Sequence, residues 1–308
     1  MLRHLLQRLA GMIPIVLGAT LIVFVVGRLA PGDPVQLLFG DIRDPAQEAR
    51  VRSQLGLDRP LPVQYLRYLA GLTRFDLGVS YAYPGRKISG MITQALPVSL
   101  QLGAIAVAIA AAMGLPLGVL AAVRRDSLAD RLVRLISLLG IAVPFFVIAV
   151  ALILLISLRF RWLPVAGWGR PEHYALPVLV LMLRPMAYIT RITRLAMLQI
   201  LGEDYIRTAR AKGIPARGVN FHHALRNAAI TIATTVGLAF NVAITGAFVT
   251  ETIFSVPGMG RAAVTAILQR DYPMVQAVVI VYTLLFLLLN LVLDLAYAAL
   301  DPRIRYSG

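Results

Sequence analysis

Apolar runs near 20 residues recur along the whole sequence, at about 11–27, 97–122, 132–158, 174–190, 227–253 and 275–299. A bilayer's hydrocarbon layer is roughly 30 Å thick, which an α-helix crosses in about 20 residues. No water reaches backbone N–H and C=O groups at that depth, so a spanning segment closes its hydrogen bonds on itself as a helix. The pattern therefore predicts an all-α polytopic membrane protein with six transmembrane helices. Composition agrees: 58% of the 308 residues are hydrophobic and only 15% are charged, against roughly 25% charged in a soluble domain.

The first run follows Arg3 and Arg8 and has the outline of a secretory signal. Cleavage after Ala30 would need a small residue where Arg28 stands and would leave Pro31 at the new end. The run also exceeds the roughly 7–15 apolar residues of a signal core. Residues 1–30 are accordingly read as a retained first transmembrane helix.

Short loops set orientation, because Lys and Arg stay on the cytoplasmic side. "RRDSLADRLVR" (124–134) is rich in Arg, and 191–226 adds Arg191, Arg194, Arg207, Arg210, Lys212, Arg217 and Arg226. The opposite short loops hold only Arg159, Arg161 and Arg170, then Arg261 and Arg270. Both termini are thereby expected in the cytoplasm. The net charge of +15 reads as Arg held beside anionic lipid headgroups rather than as a nucleic-acid surface. Cysteine is absent, which removes disulfides, thiolate chemistry and cysteine-based metal sites.

Residues 31–95 then form an extracytoplasmic segment, and 96–308 a core of five further spans. The outer segment carries helix signals. In "DPAQEARVRSQLG", Asp44 stands as N-cap, Pro45 at the first helical position and Gln47 three residues after the cap, and Gly56 can close the helix in a left-handed conformation. In "PVQYLRYLAGL", Val63, Leu66 and Leu69, and Tyr65, Tyr68 and Leu72, recur at helical spacing. Two short amphipathic helices are predicted.

Chemistry is hard to place on this chain. No phosphate-binding loop occurs. "GMGRAA" (258–263) fits a loose dinucleotide fingerprint but follows a membrane span instead of a strand, so it reads as a turn. His222 and His223 are adjacent and do not share a helix face, while His4 and His173 lie elsewhere, so no metal site is expected. Arg184 in the fourth span is expected to snorkel toward the cytoplasmic interface. Asp294, near the inner end of the sixth, is read as structural. Pro14, Pro116, Pro144, Pro177, Pro185 and the pair Gly114/Gly118 read as sites of kinking and close packing.

The segment "EDYIRTARAKGIPARGVNFHHALRNA" (203–228) is the informative one. Its basic excess is compatible with a nucleic-acid patch, a cytoplasmic anchor or a docking surface. Base stacking would favour more aromatics than Tyr205 and Phe221. The order of residues is sharper than the charge. Glu203 and Asp204 open a short helix, Arg207, Arg210 and Lys212 follow toward its end, and Gly213 stops it, an arrangement that complements the helix dipole. Pro215 and Gly218 are expected to turn the chain into the next span.

These residues resemble the cytoplasmic EAA loop (about 199–226) of ABC-importer permeases, a three-residue box followed three residues later by Gly. Here Arg207-Thr208-Ala209 takes the box and Gly213 the glycine. Arg207 stands where the general motif has Glu, and Leu225-Arg226 where it has Leu-Pro. The version in the dipeptide/oligopeptide branch resembles "DYIRTARAKG…HALRNA". "RLAPGDP", "LGLDRPLPVQYLRYL", "ETIFSVPGMGR", "RDYPMVQ" and "DPRIR" are similar to that branch in the same order.

The resemblance implies the type I ABC importer permease fold and a chain that is not itself an enzyme. It implies a second homologous permease subunit, two cytoplasmic ATPase subunits that bind ATP and Mg, and an extracytoplasmic substrate-binding protein, in a bacterial or archaeal cytoplasmic membrane. Residues Asp204, Tyr205, Ile206, Arg207, Thr208, Ala209, Arg210, Ala211, Lys212 and Gly213 would couple to an ATPase. Glu251, Phe254, Pro257, Gly258, Gly260 and Arg261 would face the binding protein. Peptides are the implied cargo; haem, nickel chelates, glutathione and oligosaccharides are imported by similar families. An ion-coupled carrier is the contrasting reading, and the sparse intramembrane charge speaks against it.

Overall fold

The computed structural model describes residues 2–29, 45–54 and 56–300. Asp44, residues 30–34 of "RLAPGDP" and "DPRIR" lie outside them. The helices, in chain order, are α1 (Leu2–Leu29), α2 (Pro45–Gln54), α3 (Leu61–Thr73), α4 (Ile88–Val123), α5 (Leu128–Ala142), α6 (Phe145–Leu152), α7 (Pro171–Leu201), α8 (Asp204–Ala211), α9 (Arg226–Ile253), α10 (Met259–Leu268) and α11 (Tyr272–Leu300). A π-helical stretch, Ile153–Arg159, continues α6, and another, Gly218–Leu225, leads into α9. Gly218 is therefore inside a helix, not at a turn. The chain turns at Ile214–Pro215, where proline has no N–H to continue a helix, and helical structure resumes at Ala216.

Five stretches are long and apolar enough to cross a membrane: Gln7–Leu29, Ile88–Val123, Pro171–Leu201, Gly218–Ile244 and Tyr272–Leu295. A sixth crossing is reached only by α5 and α6 together, and these are bent by 102° at the break. The sequence pattern predicts one helix over 132–158; the structure divides it at Val143–Pro144. Pro144 supplies no N–H, and its ring drives the preceding residue out of the helical region. Val143 sits at φ −81° and ψ 126°.

Contacts divide the chain into two units, residues 1–98 with 257–291 and residues 99–256 with 292–308. In the first, α3 lies against α1. The Phe24 ring is 5.3 Å from that of Tyr65 and 6.0 Å from that of Tyr68, and the Thr20 and Tyr65 hydroxyls are 3.0 Å apart. The tyrosine stripe of α3 is thus the packing stripe, while Val63 and Leu66 on the other remain exposed. Gly56 closes α2 at φ +66°: its N–H donates to Ser53 O and Leu57 N–H to Arg52 O, a Schellman arrangement that satisfies two orphan carbonyls.

A buried carboxylate secures the same unit. Asp271 caps the start of α11, accepting from the Met274 N–H at 3.4 Å. It also accepts from the Tyr81 N–H at 3.0 Å, from the Ala82 N–H at 3.4 Å and from the Ser80 hydroxyl. It is 1% exposed. These bonds hold the short hairpin whose bridge joins Val79 and Lys87.

In the second unit α7 is the central element. Its most apolar window is 61% buried, against 17% for the windows of α1 and α11. Small residues let neighbouring helices come close to it. A Cβ at Gly114 would meet Met186 O at 3.0 Å, one at Gly118 would meet Thr193 Cβ at 2.6 Å and Thr190 O at 2.7 Å, and one at Gly140 would meet Ala187 Cβ at 3.0 Å. The Gly114/Gly118 pair on α4 is thus a small-xxx-small contact, the device that brings membrane helices within backbone distance.

Gly118→Ala has no room and is expected to lower the thermal midpoint of the detergent-solubilised protein, with an overpacking cost of about 1–3 kcal/mol. Gly103→Ala is the control, because its new Cβ would meet only Ile244 Cγ1 at 3.9 Å. Equal midpoints for the two variants would refute the tight crossing.

Candidate coupling site

The short helix expected in the basic segment forms as α8, over Asp204–Ala211. Glu203 precedes it as N-cap with extended backbone, Asp204 lies in its first turn and Arg210 in its last. Asp204 and Arg207 form an exposed i,i+3 pair at 3.2 Å, a contact worth a few tenths of a kcal/mol, roughly. Gly213 takes φ +78°. Its N–H donates to Arg210 O at 3.0 Å, and Ile214 N–H donates to Ala209 O at 3.2 Å. That is again a Schellman stop, and only a residue tolerant of the left-handed region fits it without cost.

Two faces of α8 differ sharply. Ile206 is fully buried and Ala209 is 8% exposed. Both enter one apolar cluster with Val119 and Ala122 of α4, Met197 of α7, Val219 and Ala224 of the π-helical stretch, and Ala228 and Ile232 of α9. Ile214, just after the Schellman stop, packs on the same cluster. Asp204, Tyr205, Arg207, Thr208, Arg210, Ala211, Lys212 and Gly213 are exposed. The exposed Tyr205 hydroxyl still accepts from Asn227 Nδ2 at 3.0 Å, which ties α8 to the first turn of α9. The result is a short rigid helix seated on three long ones, with a cationic, hydroxyl-bearing outer face.

Beside it stands an ion pair that sequence reasoning did not single out. Arg194 of α7 donates from Nε to Asp130 Oδ1 at 2.6 Å and from Nη2 to Asp130 Oδ2 at 2.8 Å. The Asp130 side chain is fully buried and that of Arg194 is 14% exposed. Asp130 also accepts from the Asp126 N–H at 3.0 Å, and Ser127 caps α5 through the Asp130 N–H. The Ser-x-x-Asp spacing of Ser127 and Asp130 is a helix-start signature that the sequence does display. Its partner in space, 64 residues on, has no local signal. The pair fixes the start of α5 to α7 about two turns before the end of α7.

The residues read as facing a binding protein differ in exposure. Glu251 and Phe254 are 0% and 1% exposed, and Gly258 and Gly260 are buried. Glu251 accepts from the Ser99 hydroxyl at 2.5 Å. Pro257 is exposed and Arg261 partly so. Gly258 begins α10, a helix absent from the sequence reading. Pro257, Gly258 and Arg261 line a cavity of about 320 Å³ together with Tyr83, Arg86 and Gln269.

Several membrane-length helices, with a short amphiphilic helix seated between two of them, describe a polytopic membrane protein. The comparisons place it. Residues 114–306 match the family of binding-protein-dependent transport system inner membrane components, and residues 1–103 match the N-terminal region of such membrane components. The chain belongs to this family. It is 39% identical to a probable peptide ABC transporter permease protein, y4tP, of Sinorhizobium fredii, over 98% of this chain and 99% of that one. It is 40% identical to the glutathione transport system permease GsiC of Salmonella paratyphi A and 38% identical to the dipeptide transport system permease DppB of Escherichia coli, each over the full length of both chains. Among solved structures, the inward-facing methionine ABC transporter MetNI shares the fold, with a TM-score of 0.60 at 17% identity, over 68% of this chain and 96% of that one.

Ile206→Ala leaves a void in the cluster under α8 at a cost of about 2–5 kcal/mol. Amide hydrogen exchange across 204–213 is expected to quicken, while Arg207→Ala, on the outer face, leaves it unchanged. Asp130→Asn strands the half-sheltered Arg194 charge, and removing one partner of a buried pair costs about 3–5 kcal/mol. A midpoint shift no larger than that of an exposed substitution such as Arg125→Gln would remove the pair from the account.

Proposed function

We propose that this chain is the permease subunit of an ATP-driven importer and forms half of a translocation path for peptides delivered by an extracytoplasmic binding protein. The two-faced geometry of α8 carries the reading: Ile206 and Ala209 are locked into the membrane helices, while Arg207, Thr208, Arg210 and Lys212 are presented outward. The peptide and dipeptide permeases among the relatives support the cargo. The glutathione permease supports a second cargo of closely similar chemistry, itself a short peptide.

In this reading the chain works with a second, homologous permease, two ATPase subunits that hold ATP and Mg, and the binding protein, in a bacterial or archaeal cytoplasmic membrane with both termini inside. The chain itself hydrolyses nothing. Closure of the ATPases pushes on the outer face of α8. The push reaches α7 through Met197, α4 through Val119 and Ala122, and α9 through Val219, Ala228 and the Tyr205–Asn227 bond. A coupling element has to bias two arrangements of the spans at once, and a short rigid helix touching three of them does so directly. Pro257 and Arg261, with the Tyr83–Arg86 hairpin, are the accessible members of the region read as facing the binding protein.

The test is co-purification from mild detergent, followed by uptake in vesicles. ATPase subunits are expected to accompany the tagged chain. Arg207→Asp with Arg210→Asp, which reverses the outer face of α8 without touching Ile206 or Ala209, is expected to lower peptide uptake at least about tenfold, the scale of one or two lost charge-assisted contacts. An isolated chain with no ATPase, or full uptake by the reversed variant, would sink the reading.

A further inference from the structure

α7 is the most buried of the spans, yet one of its faces is open. Arg184, Tyr188, Arg191, Leu195 and Gln199 are all exposed. Their spacing of i, i+4, i+7, i+11 and i+15 puts them on a single stripe. Four of the five are polar or charged. The exposed faces of other apolar helices are built from the opposite material: Ile13, Ile22 and Val26 on α1, Leu132, Leu135 and Leu139 on α5, Leu284, Leu288 and Val292 on α11. Acyl chains account for those faces. They do not account for the stripe on α7, because an exposed guanidinium among acyl chains is expensive and such residues face water or a partner group instead.

Arg184 cannot escape along its own helix. At about 1.5 Å per residue it lies roughly 3 Å from the midpoint of α7. Its guanidinium does not extend toward the Leu201 end, as snorkelling would require. It lies over the Phe145 ring, 5.3 Å from the centroid, at the break between α5 and α6. Phe145 is itself wedged: a Cβ on Gly246 of α9 would meet that ring at 3.1 Å, and Leu181 of α7 at the same distance. Phe145, at the break, therefore forms an aromatic plate that holds one cation near the middle of α7. Among the described residues no carboxylate pairs with Arg184.

We propose that the open stripe of α7 lines the wet translocation path and that Arg184 receives a carboxylate of the peptide in transit. The inference rests on the peptide-permease reading above. A guanidinium binds a carboxylate through two parallel N–H···O bonds, and every unmodified peptide carries one at its C-terminus. Tyr188 and Arg191, one and two turns along the same stripe, give the group a hydrogen-bonding surface to move onto.

The chain's lack of cysteine makes the test direct. Arg184→Cys, assembled with the partner subunits, is treated with water-soluble methanethiosulfonate reagents, and labelling of this chain is read by mass spectrometry. Efficient labelling is expected, since the position faces water. Uptake is measured with libraries of di- and tripeptides bearing a free C-terminus, an amidated C-terminus, or an amidated C-terminus with an acidic side chain. Uptake of the free acids is expected to fall about ten- to hundredfold in the variant, the range for a lost hydrogen bond to a charged group. The aminoethyl reagent, which restores a positive charge, is expected to recover it, and the sulfonatoethyl reagent is not. Loss confined to free acids assigns the terminal carboxylate, while equal loss for amidated acidic peptides extends the site to side-chain carboxylates.

Labelling only by lipid-soluble reagents would overturn the inference, as would uptake indifferent to the charge restored. A complex that no longer assembles with the second permease would do so too, by making Arg184 a subunit-interface ion pair. A wild-type complex that imports no member of any library would instead overturn the peptide reading, and this inference with it.

Discussion

The close approach of small residues to α7 is the contact on which the larger unit rests. Hydrophobicity cannot hold membrane helices against one another, because lipid tails are as apolar as leucine. What remains is packing at backbone distance, and Gly114, Gly118 and Gly140 supply it around Met186, Ala187, Thr190 and Thr193. The same helix bears Arg194, locked to Asp130, and Met197, on which α8 is seated. It also bears an exposed stripe of polar residues. A helix gripped on most sides and open on one can carry both a structural and a transport role without exchanging residues between them.

The amphiphilic character of α8 is what supports the proposed coupling role. A basic loop that was merely cytoplasmic would have no reason to bury Ile206 completely or to stop on a left-handed glycine. Seating the helix in the apolar cluster stiffens it, as the proposed push requires. The Asp130–Arg194 pair adds a second fixed point, tying α5 to the helix that bears Met197.

Much of this was legible in the sequence because it is local. The spans announce themselves through apolar length, and α2 and α8 through acidic starts and glycine stops. Gly56 and Gly213 adopt the left-handed stops that their positions suggest. The same stop ends three other helices at Phe75, Ser255 and Arg270, all at positive φ and none a glycine, so the ends of α3, α9 and α10 carry no such mark. α10 went unread for this reason and because a run from Met259 to Leu268 is too short to stand out beside membrane spans. The bend at Val143–Pro144 had a signal in its proline, but membrane helices tolerate proline when neighbours satisfy the freed groups. Arg184 was visible as a charge; its engagement with Phe145, 39 residues earlier, was not. The short helix α8 was therefore readable, whereas Asp130–Arg194, Ser99–Glu251 and Ser80–Asp271 depend on long-range pairings that no window of sequence contains.

The Asp271 clasp also orders events during synthesis. Its bonds to Ser80, Tyr81 and Ala82 join positions about 190 apart in the chain. The unit they belong to draws on residues 1–98 and then on 257–291. Chains emerge from the ribosome N-terminus first, so the hairpin at 79–87 waits, unsecured, until the last helices have been made. Residues 99–256, the greater part of the other unit, precede those last helices in the chain and can begin to consolidate in the meantime. The part of the protein translated first is thus among the last to be finished.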